Sequence, residues 1–137
     1  MYWRPGWTAT PKEEWRATVE AALGAESWVM DGNYSGTMDL RIRAADTIIF
    51  LDLPRLLCLW RIVRRQLRFR NRERPDMTPG CPERLTGQFI AWVWNYPRRQ
   101  RVEVLRRLDA VAAAKTIVIL RSRRAVDQFL RDLPAAQ

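Results

Sequence analysis

The sequence contains no histidine. Ser-His-Asp triads, Cys-His nucleophile pairs, His-Cys zinc sites and imidazole general bases are therefore all excluded, and any chemistry must use Asp, Glu, Arg or a bound cofactor. Lysine is nearly absent too: 22 of the 24 basic residues are arginine, with Lys12 and Lys115 the exceptions. The only cysteines, Cys58 and Cys81, stand 23 residues apart in no CxxC or metal-ligand pattern, which reads as reduced thiols in a cytoplasmic protein. No run approaches 18 uninterrupted apolar residues, and the opening MYWRPGWTATPKEEW has neither a basic nor an apolar leader segment. We therefore expect a soluble chain with no membrane partner.

What is present is an ordinary globular composition, 47% hydrophobic and 28% charged, in 137 residues, enough for one domain with a core. The net charge of +9 is concentrated: residues 53–107 hold 14 arginines against Glu73, Asp76, Glu83 and Glu103, or +10, and the remainder of the chain sums to −1. Such a block fits a nucleic-acid surface, a site for phosphorylated small molecules, or a solvated helical face.

Residues 1–10 hold three aromatics with Pro5 and Gly6 and read as a packed loop. Thr10 before Pro11, followed by Glu13 and Glu14, predicts an N-cap and a helix over 11–23 closed by Gly24. Ser27–Met30 reads as a short buried strand entering the turn Asp31-Gly32-Asn33, and Thr47–Leu51 as a second strand buried on both faces. Leu56, Leu59, Trp60, Val63 and Leu67 then define a buried helical stripe, with Arg61, Arg65, Arg68 and Arg72 opposite. Residues 71–84, with three prolines and a glycine, form a long loop. Helical patterns over 85–95 and 98–113 precede a third strand, Thr116–Leu120, and a closing helix, Arg123–Leu133. Trp92 and Trp94 are expected in the core. Alternating strands and helices predict an α/β layer with a mostly parallel sheet and ligands beyond the strands' carboxyl ends: at Asp31-Gly32-Asn33, Asp52-Leu53-Pro54 and Arg121-Ser122-Arg123.

WVMDGNYSGTMDLR, TIIFLDLPRLLCLWRIVRR and RPDMTPGCPER together resemble the bacterial P-loop kinases related to adenylate kinase that are often labelled DNA topology modulation proteins. The resemblance runs through nearly the whole chain. It implies a single domain over 1–137 with an adenylate-kinase-like three-layer fold, and ATP and Mg2+ as cofactors. Asp31 would order the metal through water, and Gly32, Asn33, Tyr34 and Arg68 would contact substrate. Arg61 and Arg65, a helical turn apart, would grip phosphate oxygens during transfer to a small acceptor. Residues 71–84 would form a lid bringing Arg72 and Arg74 over the nucleotide.

The chain departs from this family in one respect. It has no GxxxxGK[ST], so the phosphate-cradling nest, its lysine and its magnesium-binding hydroxyl are missing, and neither Lys12 nor Lys115 replaces them. Family members place a strand, the P-loop, its helix and a second strand ahead of the YWRPGW segment. The resemblance thus implies a C-terminal portion lacking the central strand, with the nucleotide loop encoded upstream; its loss either leaves two unpaired edges beside exposed core or forces the strands at 27–31 and 47–52 to pair directly. On that basis this chain alone is expected to have negligible kinase activity. The competing readings are a non-catalytic, basic nucleic-acid-binding protein and a folded remnant without activity.

Overall fold

A computed structural model describes residues 2–70 and 72–134. The described chain is mixed α/β and divides into two compact units, one of residues 1–45 with 66–84 and the other of residues 46–65 with 85–137.

In the first unit, the expected N-terminal loop is a small antiparallel hairpin, β1 (Trp3–Arg4) against β2 (Thr8–Ala9). The connecting turn takes Trp7 to φ 62°, left-handed backbone that a bulky residue rarely adopts. A hydrogen bond from the indole Nε1 to the Pro82 carbonyl (3.0 Å) and the Arg84 guanidinium 5.2 Å from the ring hold it there. Helix α1 spans Lys12–Leu23. Thr10 does not cap it: Pro11 occupies the N-cap position. The Thr10 hydroxyl instead donates to the Tyr2 carbonyl (2.7 Å), which also accepts the Thr10 N–H (3.0 Å), closing the hairpin. Helix α2 is Met38–Ala44, preceded by a 3-10 turn at Ser35–Thr37. Rings of Tyr2, Trp3, Trp7, Trp15 and Tyr34 pack in sequence at centroid distances of 4.8–5.6 Å, and Val19 and Thr37 are the fully buried side chains beside them.

The predicted strand at Ser27–Met30 does not form; the segment is irregular, with a bend at Ser27, and Val29 is wholly exposed. An apolar run becomes a strand only by completing a ladder, and no described residue pairs with this one.

The segment expected to be a lid is fastened to the hairpin; of residues 71–84, residue 71 lies outside the described residues. Gly6 N–H donates to the Gly80 carbonyl (2.8 Å), the Thr78 hydroxyl to the Trp3 carbonyl (2.6 Å) and the Cys81 thiol to the Arg4 carbonyl (3.2 Å). Gly80 has φ 83°, and a Cβ there would sit 3.0 Å from Pro5, so the approach needs glycine.

In the second unit, β3 (Thr47–Leu51) pairs in parallel with β4 (Thr116–Leu120), in register from Thr47 opposite Thr116 to Leu51 opposite Leu120. Both strands form where their β-branched runs predict them. Helix α3 (Arg55–Arg68) begins in this unit and ends in the first, while α4 (Gly87–Asn95), α5 (Gln100–Asp109) and α6 (Arg123–Asp132) lie wholly in the second. Thr86 and Ser122 cap α4 and α6, accepting hydrogen bonds from Phe89 N–H (3.2 Å) and Ala125 N–H (3.1 Å). The buried apolar residues of this unit are Ile62, Val93, Val104, Leu108 and Leu120.

The apolar stripe of α3 overturns its expected burial. Leu56, Trp60, Val63 and Leu67 are 68%, 53%, 47% and 71% exposed, whereas Ile62, on a different side of the helix, is buried. Trp92 and Trp94 are also exposed rather than in the core, Trp92 stacked on Phe89 and Trp94 beneath the Arg55 guanidinium at 4.2 Å. Periodicity identifies a stripe as apolar, but which side is covered depends on what there is to cover it. Among the described residues, no helix is long and apolar enough to cross a membrane.

Candidate functional site

The sequence-predicted site residues fall on both units. Asp31, Gly32, Asn33, Tyr34, Arg68, Arg72 and Arg74 lie in the first, and Arg61 and Arg65 in the second.

The expected turn at Asp31-Gly32-Asn33 does not form: the three residues are exposed in an irregular segment between α1 and α2. Gly32 has φ 111°, and a Cβ would lie 2.4 Å from the Tyr34 ring, so only glycine fits. The segment is braced from α2: Arg41 donates through Nη1 to the Gly32 carbonyl (2.7 Å) and through Nη2 to the Tyr34 carbonyl (3.0 Å). Burial pushes the Arg41 guanidinium below its ordinary range, against the opposing pull of Tyr34 and Asp31. Burial likewise pushes the Tyr34 phenol up, with the Asp31 charge adding to it. Trp15 Nε1, Thr37 Oγ1 and Arg41 Nε in this unit are buried without a hydrogen-bond partner. Tyr34 is chiefly a packing residue, wedged between Tyr2 and Trp15, while Asp31 is exposed in the irregular segment before it. Arg41 carried no sequence signal, because it grips carbonyls nine and seven residues back through no recurring motif.

On α3, Arg61 is exposed and forms no ion pair among the described residues; Arg65 follows one turn later and is half-buried. Arg68 is exposed, its guanidinium 5.3 Å from the Phe69 ring. Arg72 is exposed too, and its carbonyl accepts the Glu83 N–H (3.1 Å). Arg74 is differently placed. Its Nε lies 3.3 Å from both Asp76 and Glu83, at angles outside hydrogen-bond geometry, and the Glu83 side chain is buried. Arg74 thus neutralises a buried carboxylate, the role expected of a cation whose removal would leave a charge stranded.

The carboxyl ends of β3 and β4 carry a second constellation. Asp52, its side chain only 8% exposed, accepts a bidentate pair from Arg101 (Nε to Oδ1 2.6 Å, Nη2 to Oδ2 2.7 Å), and Arg121 Nε approaches Oδ2 as well, at 3.5 Å. The Arg101 hydrogen bonds, and then the Arg121 charge, hold the Asp52 carboxyl below the usual carboxylate range. One carboxylate shared by two guanidiniums leaves this strand end net positive, with Arg121 largely exposed. The strand-end rule pointed to Asp52 and Arg121. Arg101, 49 residues from its partner, offered no local cue.

Asp31 meets the donor chemistry of magnesium only as a single carboxylate, suited to an outer-shell role. No group of three or more His, Cys, Asp or Glu able to hold a metal occurs among the described residues. Without a phosphate loop in the sequence, the residues present do not make up a complete Mg-ATP site. A groove of about 430 Å³ between α5 and β4 is lined by Leu105, Leu108, Ala112, Ile117 and Ile119, with Arg106 and Asp109. Arg106 is tied to Glu103, whose carboxyl Arg106 and Arg107 hold down at about 2. The groove therefore offers apolar volume and no free nucleophile.

Set against known proteins, the chain matches no family model, no curated protein and no solved structure.

Proposed function

We propose that this chain is the arginine-bearing part of an adenylate-kinase-like phosphotransferase. Its own contribution is to bind the phosphates of a nucleoside triphosphate through guanidiniums on α3. The observation that supports this reading is Arg61: exposed, without an acidic partner among the described residues, one turn before Arg65, on a helix that starts three residues after a parallel strand ends. A guanidinium pair at that spacing matches the oxygens of a polyphosphate, and Arg61, which no carboxylate among the described residues engages, is available to a ligand. The nest and lysine that hold the β- and γ-phosphates would come from another segment or chain. No transfer step is assigned to the residues present.

A second reading, non-catalytic binding of single-stranded nucleic acid, is favoured by one specific arrangement. Trp60 under Arg64 (5.3 Å) and Trp94 under Arg55 (4.2 Å) place exposed indoles beside guanidiniums, the pairing on which bases stack and phosphates dock.

Titrating the 137-residue protein with a fluorescent nucleoside triphosphate and with an oligonucleotide, across a salt series, separates the two. The phosphotransferase reading expects saturable triphosphate binding weakened about tenfold or more by Arg61→Ala, and no turnover by the chain alone. The nucleic-acid reading expects oligonucleotide affinity that falls steeply with salt and is lost on replacing Trp60 or Trp94. Triphosphate binding indifferent to both Arg61→Ala and Arg65→Ala would defeat the first reading, and binding of neither ligand would leave a folded remnant.

A further inference from the structure

We infer that the exposed seam of α3 is a docking face for an amphipathic helix of a partner chain, apolar along its contact stripe and acidic on one flank. Leu56, Trp60, Val63 and Leu67 succeed one another at spacings of four, three and four, the alternation of a coiled-coil seam. All four are about half exposed or more. The chain's own packing takes a different side of the helix, where Ile62 is buried and the Cys58 thiol lies 3.8 Å from the Leu53 carbonyl. A helix with apolar residues on two sides is built to be covered twice.

Charge selects the occupant. Helix α3 carries Arg55, Arg61, Arg64, Arg65 and Arg68 and no acidic residue. Arg64 flanks the seam with its guanidinium 5.3 Å from the Trp60 ring, and Arg61 and Arg68 continue the basic rim further round the same side. Two copies of α3 would bring like-charged rims together, which disfavours a second copy of this chain. An acidic flank meets the rim favourably.

The test uses the 137-residue protein and two synthetic helices of about 21 residues, three heptads with leucine along the seam, one flanked by glutamate and its twin by lysine. Fluorescence anisotropy of the labelled peptides is expected to give a dissociation constant on the order of 10 μM for the acidic peptide and at least about tenfold weaker binding for the basic one. Trp60→Asp should abolish the difference while leaving the far-UV spectrum unchanged. Arg64→Glu should invert the preference between the twins, a result that loss of folding cannot produce. Equal binding of both peptides, or a preference unmoved by Arg64→Glu, overturns the inference. So does sedimentation showing a dimer of this chain that Trp60→Asp dissociates, because the seam would then belong to a second copy.

Discussion

The two units err in opposite directions. Every buried side-chain polar atom found without a hydrogen-bond partner, on Trp15, Thr37, Arg41, Gln66 and Arg74, belongs to the first unit. Of the large apolar side chains left exposed among the described residues, only Val29 and Leu67 belong to it, and the rest, among them Ile49, Leu51, Leu56, Trp60 and Leu130, lie in the second. The first unit has closed its aromatic cluster at some cost in unmet hydrogen bonds, and its stability rests on packing that is already complete. The second holds a parallel pair that such strands normally bury on both faces, yet β3 turns Ile49 and Leu51 to solvent. Removing an internal contact should therefore hurt the first unit most, and changing a surface apolar residue should scarcely affect the second.

The sharpest way to break that contrast is Trp15→Ala, which takes out the ring that touches both Tyr2 and Tyr34. A loss of about 3 kcal/mol is expected. Hydrogen exchange should show it on the amides of residues 2–45, and equal deprotection at Thr47–Leu51 would contradict the division. Next is Arg101→Ala, which strips the bidentate partner from Asp52 and should cost about 2 kcal/mol by denaturant titration. The same variant has a pH signature. Because the Asp52 carboxyl is depressed, its stabilisation is complete above the unfolded carboxylate pKa of about 3.9 and is lost as pH falls through the lower folded value. Arg101→Ala raises that folded value, so the variant's stability should vary less than the parent's below about pH 4.

Smaller still is Gly32→Ala, where φ 111° and the Tyr34 ring oppose a methyl group. About 1–2 kcal/mol is expected, read as a lower thermal midpoint together with a shift of the tyrosine absorption. The smallest effect should come from Val63→Thr on the open seam of α3, within about 0.5 kcal/mol of the parent. A loss beyond about 1 kcal/mol would mean that the seam is covered within the chain itself.

The strands and helices that follow from local chemistry were legible: Thr47–Leu51 and Thr116–Leu120 from unbroken β-branched runs, α3 from its start after Pro54, and α6 as the closing helix expected over Arg123–Leu133. What depends on a distant partner was not. Ser27–Met30 has a strand's composition and no ladder; Thr10 has a cap's chemistry but spends its hydroxyl on Tyr2. Of the candidate site, Arg61 stands on the exposed helical face expected of it, whereas Asp31 and Gly32 lie in an irregular segment instead of the expected turn. Arg74 is drawn into a pair with buried Glu83, and Arg41 and Arg101 act through contacts that no spacing announces. Guanidiniums are long and abundant here, so which of 22 arginines is free and which is committed is decided by tertiary contacts.

Both thiols are withdrawn from reaction. Cys81 is buried against the Arg4 carbonyl, and Cys58 is half-buried with its thiol pushed up by that burial, the Arg61 charge opposing only in part. Burial shields Cys81 from an alkylating reagent, and the raised Cys58 thiol offers it little thiolate at neutral pH. A cysteine introduced at an exposed position such as Leu130 will react first, so the native chain serves as a nearly silent background for attaching a single probe.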